Sequence, residues 1–100
     1  MKTMEELDKE LEQMRIIADK NIAAEKLRKN GKIDEAKKLL EENIQLKADT
    51  PATYRNLAII YRNEKDKENE IRVLKDGLKY VNPNNKKHYK WIKDRLSKIK

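Results

Sequence analysis

One pattern of residues occurs twice in this chain, in residues 17–50 and again in residues 51–84, at an offset of 34 positions. The matched positions pair residues of similar size: Ala24 with Ala58, Leu27 with Tyr61, Leu40 with Leu74, and Ile44 with Leu78. A fixed period of about 34 residues in a helical sequence is typical of stacked helix–turn–helix units. Such units present an extended binding surface. The repeat therefore predicts an all-α fold that binds a partner and does not catalyse a reaction.

Composition narrows the class of protein further. The chain has 100 residues, 43% of them charged, with two Gly, two Pro and no Phe, which fits one helical domain with wide solvated faces. The absence of Cys excludes disulfides, thiolate zinc sites and a cysteine nucleophile. No apolar run approaches the ~20 residues of a membrane span, and the N-terminus is too acidic for a signal peptide. We therefore expect a cytoplasmic protein with no membrane partner.

The segment before the first Gly has the periodicity of a helix. Steps of three and four residues place one set of apolar side chains on a single stripe: Met4, Leu7, Leu11 and Met14. Residues 3–29 contain no Gly or Pro, so they form either one long helix or two helices with a bend near residues 15–20. Gly31 predicts the end of this segment, because Gly adopts the left-handed conformation after a helix at low cost.

Four more helices are predicted beyond Gly31, which gives about five in total. They extend over residues 33–46, over residues 51–64, after Asp66, and from the turn at residues 82–85 up to residue 99. Thr50 is predicted to accept a hydrogen bond from the free N–H groups of the third helix, with Pro51 at its first position. Asp66 is the predicted N-cap of the fourth helix.

The 34-residue unit resembles the tetratricopeptide repeat. That family places small residues at unit positions 8 and 20 and large residues at positions 11 and 24. The residues that match are Ala24, Leu27, Ala36 and Leu40 in the first unit and Ala58, Tyr61 and Leu74 in the second. The resemblance implies helical-hairpin repeats over residues 17–84, an N-terminal helical extension over residues 1–16 and a capping helix over residues 85–100.

Several residues depart from the family pattern. Glu70 stands where a small residue is expected, and Asn43 is larger and more polar than usual at its position. The family proline is Ala48 in the first unit, whereas Pro83 lies one residue late in the second.

The resemblance also implies a concave groove lined by the first helix of each unit. The groove positions carry basic and amide side chains above some apolar surface. In the first unit they are Asn21, Glu25, Arg28 and Lys29. In the second they are Arg55, Asn56, Ile59, Arg62 and Asn63, and in the cap they are Lys86, Tyr89, Lys90 and Lys93. A basic groove of this kind predicts an acidic peptide or protein as partner.

One subclass of the family holds the terminal carboxylate of a peptide with Lys and Asn side chains from successive units. Asn56, Lys86 and Lys90 resemble that clamp in the second unit and the cap. The first unit departs from it, because Asn21 replaces a lysine and Glu25 replaces an asparagine. A Glu25 carboxylate in the groove would repel the carboxylate of such a peptide, so binding of an acidic surface is the broader expectation.

The N-terminal stripe has two interpretations. The preferred one is that the segment folds back and covers the open side of the first hairpin. The alternative is self-association, as a homodimer, through Met4, Leu7, Leu11 and Met14. The stripe spans under two heptads before Ala18, too few for an independent coiled coil. A dimer would therefore have to use the repeat surface as well.

The residues offer no reaction centre. His88 is the single histidine and Ser97 the single serine, so no nucleophile–base pair and no metal-ligand cluster can be assembled. Two isolated glycines cannot form a phosphate-binding loop. We expect a protein without enzymatic activity, metal or cofactor.

Charge is unevenly distributed, which suggests a second function. Residues 1–50 carry 11 basic and 12 acidic side chains, whereas residues 51–100 carry 14 basic and 6 acidic. The alternative function is therefore nucleic-acid binding by the basic C-terminal half, where Tyr89 and Trp91 lie among lysines and could stack on bases. Against it, the basic residues are spread around the helix and no nucleic-acid motif is present.

Overall fold

The computed structural model describes residues 1–99, which contain five α-helices and no β-strand. The helices are α1 (Met4–Lys29), α2 (Ile33–Gln45), α3 (Pro51–Asn63), α4 (Lys67–Tyr80) and α5 (Lys86–Ile99). The predicted all-α fold of about five helices is confirmed. Lys100, the last residue of the predicted cap, lies outside the described residues.

Consecutive helices pack as hairpins. α1 packs against α2, α3 packs against α4, and α5 packs mainly against α4, while α2 and α3 join the two hairpins. One hydrophobic core runs through all five helices, and the alanines predicted at close helix approaches are buried in it: Ala24, Ala36 and Ala58. The packing confirms the predicted helical-hairpin repeat, because small side chains at these positions let the helix axes approach.

The 34-residue period extends to the backbone at the ends of α1 and α3. In each case a backbone N–H donates to the carbonyl five residues earlier: Lys32 to Leu27 at 2.8 Å, and Asp66 to Tyr61 at 2.9 Å. The residue before each donor has a positive φ, 81° at Gly31 and 60° at Lys65. This is the Schellman geometry that ends a helix in the left-handed conformation. The two units therefore share their turns as well as their apolar pattern.

The predicted helix caps differ in outcome. Asp66 caps α4 as predicted, since its Oδ1 accepts a hydrogen bond from the Asn69 backbone N–H at 3.2 Å. The expectation for Thr50 is wrong, because its side chain makes no capping hydrogen bond. The Thr53 N–H donates to the Thr50 backbone carbonyl at 3.2 Å instead, while Pro51 occupies the first turn as predicted.

α1 is a single helix of 26 residues, which decides between the two alternatives for this segment. Thr3 caps it, as its hydroxyl accepts from the Glu6 N–H at 3.2 Å. Every residue from 4 to 16 is exposed, and Ile17 is the first buried residue. The preferred expectation that this segment folds back over the first hairpin is therefore wrong. An uninterrupted helix has no bend at which to reverse.

The second unit accommodates Tyr54 by having no side chain at position 77. A Cβ added at Gly77 would lie 3.1 Å from the Tyr54 Cβ and 3.1 Å from the Ile92 Cδ1. In the first unit the equivalent residues are Lys20 and Asn43. The Tyr–Gly pair of the second unit therefore corresponds to two polar residues in the first.

Candidate functional site

The groove lies on the face formed by α1 and α3, with α5 closing one side. Between α3 and α5 is a cleft lined by Thr50, Pro51, Ala52, Arg55, Asn56, Ile59, Asn85 and His88. Between α1 and α3 is a second cleft lined by Asn21, Ile22, Glu25, Lys26, Lys29, Ala52 and Asn56. Ala52 and Asn56 line both, so the two clefts form one continuous surface. We call this surface the concave groove.

The groove continues toward the loop between α1 and α2. A third depression is lined by Arg28, Ile33, Ile59, Ile60, Asn63 and Glu64. Ile59 lines both this depression and the α3–α5 cleft. The structure thus brings Asn21, Arg28, Arg55, Asn56, Ile59 and Asn63, all of which the sequence assigned to a groove, onto connected surface.

Glu25 and Lys29 line the α1–α3 cleft as predicted, whereas the other predicted groove residues lie elsewhere. Arg62 lines a separate depression with Arg95 and Lys98 at the far end of α3. Lys86, Lys90 and Lys93 are exposed on α5, and Tyr89 is half-buried against the core.

The side chain by which α5 contributes to the α3–α5 cleft is His88. Lys86 and Lys90, the two lysines of the expected carboxylate clamp, are not among the described residues that line this cleft beside Asn56. His88 was not among the groove residues expected from the sequence, whereas in the structure it is exposed and lines the cleft.

The Asn21 side chain, which also lines the groove, makes hydrogen bonds that connect three helices. Its Oδ1 accepts hydrogen bonds from the Asn43 Nδ2 at 3.0 Å and from the Thr53 hydroxyl at 2.8 Å. The Asn43 Nδ2 also donates to the Ile17 carbonyl at 3.1 Å. These bonds join α1, α2 and α3 and satisfy the amide N–H groups of the fully buried Asn43, whereas its Oδ1 has no hydrogen-bond partner among the described residues.

The negative charge at Glu25 is balanced by its neighbours. Its carboxylate lies 2.7 Å from the Arg28 guanidinium and 3.9 Å from the Lys29 ammonium. The hydrogen bond from Arg28 lowers the pKa of Glu25, which favours the ionised carboxylate. The predicted repulsion between Glu25 and an incoming carboxylate is consequently weakened by the adjacent cations.

Arg55 is an exposed cation of the groove. Its guanidinium lies over the Trp91 ring, 5.2 Å from the ring centroid, which orients it by a cation–π contact. Among residues 1–99, no carboxylate lies within 4.0 Å of Arg55. An oriented guanidinium without an internal anion is suited to bind a carboxylate of another molecule in bidentate geometry.

Ile22 is a groove residue that the sequence argument missed. Its side chain is 57% exposed and lines the cleft between α1 and α3. The signal was available, because Ile22 lies 34 positions before Asn56 and so occupies the same unit position. With Ile59 it gives the groove an apolar element at each end.

Other kinds of site find no support in the described part of the chain. No group of three or more His, Asp or Glu side chains is arranged to hold a metal ion among residues 1–99. No described helix is both long enough and apolar enough to cross a membrane. No family model matches the sequence, and neither a curated protein nor a solved structure matches it significantly.

Proposed function

We propose that this chain is a small, non-enzymatic, tetratricopeptide-like adaptor that binds an acidic peptide or protein surface in its concave groove. The observation that carries the proposal is Arg55, an oriented cation without an internal carboxylate at the centre of a continuous groove. The 34-residue period, present in the apolar pattern and in the helix ends, supports the family resemblance.

The groove chemistry defines the ligand. Arg55 offers a bidentate contact to a carboxylate, and Asn56 offers an amide that both donates and accepts. Ile22 and Ile59 supply apolar contact on either side of these polar groups. A segment that presents carboxylates and apolar side chains on the same face satisfies all four residues. An amphipathic acidic helix is the simplest such segment.

Nucleic-acid binding is less well supported. The two aromatic side chains that it requires, Tyr89 and Trp91, are half-buried and pack against the core. The Arg55 guanidinium also covers the Trp91 ring. A base stacked on either ring would have to displace these contacts. We therefore propose that the α5 lysines keep the protein in solution and attract an acidic partner over long range. We place this adaptor in the cytoplasm.

The test is affinity capture from a cell lysate at low and moderate salt, with and without nuclease. We expect an acidic protein that survives nuclease and is lost with Arg55→Glu. The matched control is Lys38→Glu, which makes the same charge change at an exposed position on α2 outside the groove. Equal capture by both variants would contradict the groove assignment. Recovery of nucleic acid alone, lost at moderate salt, would favour the basic C-terminal half instead.

A further inference from the structure

The exposed apolar stripe of α1 leads directly into the concave groove. Met4, Leu7, Leu11 and Met14 are between 42% and 75% exposed, and Ile22 in the groove is 57% exposed. From Met14, steps of four residues through Ala18 reach Ile22, so the face is continuous. It extends about 27 Å along the helix from Met4 to Ile22. The buried residues of α1, Ile17 and Ala24, lie on a different side of the helix.

Charge is segregated along the same helix. Residues 4–16 carry five acidic and two basic side chains, whereas residues 17–29 carry four basic and two acidic. The basic half is the half that lines the groove, beside Arg55 on α3. The apolar stripe of the acidic half is exposed, although its last turn contacts the first hairpin, since the Gln13 Nε2 donates a hydrogen bond to the Leu46 carbonyl at 2.8 Å. α1 therefore carries both an acidic amphipathic helix and part of the groove that suits one.

We propose that a second copy of this chain docks on this face, with the two α1 helices antiparallel. The acidic first half of each α1 then lies along the basic groove of the other copy, around a two-fold axis near residues 16 and 17. In this register Leu11 of one copy lies over Ile22 of the other. A parallel pair would instead bring the two acidic halves together, which like-charge repulsion disfavours.

The required contact area sets how far the copies must overlap. A helix pair about 27 Å long and roughly 10 Å wide covers well below the ~800 Å² per partner of a specific interface. The acidic half must therefore also cover the α3 side of the groove, including Ala52, Asn56 and Ile59. The inference thus rests on the proposed function of this groove as a binding surface for acidic helices.

A charge exchange tests the arrangement. Variant one carries Glu5→Lys and Asp8→Lys in the acidic half, outside the groove. Variant two carries Lys26→Glu and Lys29→Glu in the basic half, where both lysines line the groove. Each variant alone should dimerise about tenfold or more weakly, because like charges meet. An equimolar mixture should recover the dimer, since each acidic surface then meets a basic one.

The readout is molar mass by light scattering over a dilution series, with helicity followed by circular dichroism. The wild type should be a dimer that dissociates on dilution and in high salt. Leu11→Asp should be monomeric with unchanged helicity, because Leu11 is exposed in the isolated chain. A wild type that stays monomeric at all concentrations, or a mixture that fails to recover the dimer, would overturn the proposal.

Cross-linking tests the helix direction. The chain has no Cys, so Leu11→Cys and Ile22→Cys each introduce a unique thiol. Mixed oxidation should give the disulfide between position 11 of one copy and position 22 of the other. Predominant 11–11 disulfides in a Leu11→Cys dimer would instead indicate a parallel pair and contradict the register.

Failure of this inference can be told apart from failure of the proposed function. A monomeric wild type that captures an acidic peptide through Arg55 would reject the dimer and keep the groove function. Conversely, the charge exchange could restore the dimer while the monomeric Leu11→Asp variant binds no acidic peptide. That result would support the proposed dimer and reject the proposed adaptor function.

Discussion

The buried carboxylate of Glu70 is held by the guanidinium of Arg95, with the Arg95 Nε 2.7 Å from the Glu70 Oε2 and the Nη2 3.4 Å from the Oε1. Glu70 is 3% exposed and occupies the unit position at which the first repeat has Ala36. The pair joins α4 to α5. A carboxylate can replace a small residue here because the cap helix supplies its counter-ion.

Replacing Arg95 alone should therefore lower the free energy of unfolding more than replacing Glu70 and Arg95 together. Arg95→Met leaves the Glu70 carboxylate buried without a partner, and we expect a loss of about 3 kcal/mol in the free energy of unfolding. The double variant Glu70→Ala with Arg95→Met should recover most of that loss, since it restores the small residue of the first unit. Urea unfolding curves measure both. A double variant as unstable as Arg95→Met would contradict the compensation.

The Tyr54–Gly77 contact makes a second prediction about packing. Gly77→Ala should lower the free energy of unfolding by about 1 kcal/mol net, because the new Cβ would lie only 3.1 Å from the Tyr54 Cβ and the Ile92 Cδ1 and force them to shift, which outweighs the gain of about 1 kcal/mol in helix propensity. The control is Lys75→Ala on the same helix, which is exposed and should change little. Equal stability of Gly77→Ala and wild type in urea unfolding would show that α4 and α3 do not approach this closely.

Two lysines end helices in a conformation that favours glycine. Lys47 and Lys65 have φ of 58° and 60°, and Lys65 is the counterpart of Gly31 in the repeat. Lys47→Gly and Lys65→Gly should each raise the free energy of unfolding, by up to about 1 kcal/mol, because the left-handed conformation strains a residue with a Cβ. Lys38→Gly, within α2, should lower it by a similar amount. Thermal melting of the three variants measures the contrast.

The Tyr61 hydroxyl predicts how stability depends on high pH. Tyr61 is buried and donates a hydrogen bond to the Glu41 Oε2 at 2.8 Å. Burial, and then that hydrogen bond, raise the pKa of Tyr61 from 10.0 to about 12. Between pH 10 and 12 the folded state therefore keeps the Tyr61 proton that the unfolded state loses. The contribution of this hydroxyl to the free energy of unfolding is fully present below pH 10 and is lost as the pH rises toward 12.

Tyr61→Phe should remove part of this dependence, because the titrating hydroxyl is gone. Unfolding free energies between pH 9 and 12 measure it, and tyrosine absorbance follows the titration directly. Tyr54 has a pKa that is also raised, mainly by burial, so the variant should retain some residual slope. An unchanged slope in Tyr61→Phe would mean that this hydroxyl is not protected.

Much of the fold could be predicted from particular residues. Gly31, Pro51 and Asp66 mark helix boundaries by local backbone preference, and the alanines at a 34-residue spacing mark close approaches. The partner of Glu70 could not be predicted, since Arg95 lies 25 residues away in a helix outside the repeat. The exposure of the α1 stripe was also missed, because an apolar stripe alone does not indicate what covers it.

Apart from Arg62, which lies outside the groove, and Ile22, which was missed, the α1 and α3 residues of the groove were assigned from the sequence, whereas its α5 residue was not. The α2 helix ends with Lys47 in the left-handed conformation, whereas α4 ends at Val81 in an extended one. The turn before α5 therefore differs from the turn before α3. Carrying the 34-residue register into α5 assigned Lys86 and Lys90 to the groove, although His88 is the α5 side chain that lines the cleft.

Trp91 provides the most direct test of the groove. It is the single tryptophan, and Arg55 lies over its ring. The measurement is a titration of the Leu11→Asp variant with a labelled acidic amphipathic peptide, following peptide anisotropy and Trp91 emission together. We predict a saturable rise in anisotropy with a parallel change in Trp91 emission, the rise being lost in Arg55→Glu and kept in Lys38→Glu. Binding that leaves Trp91 emission unchanged, or that survives Arg55→Glu, would contradict a groove centred on Arg55.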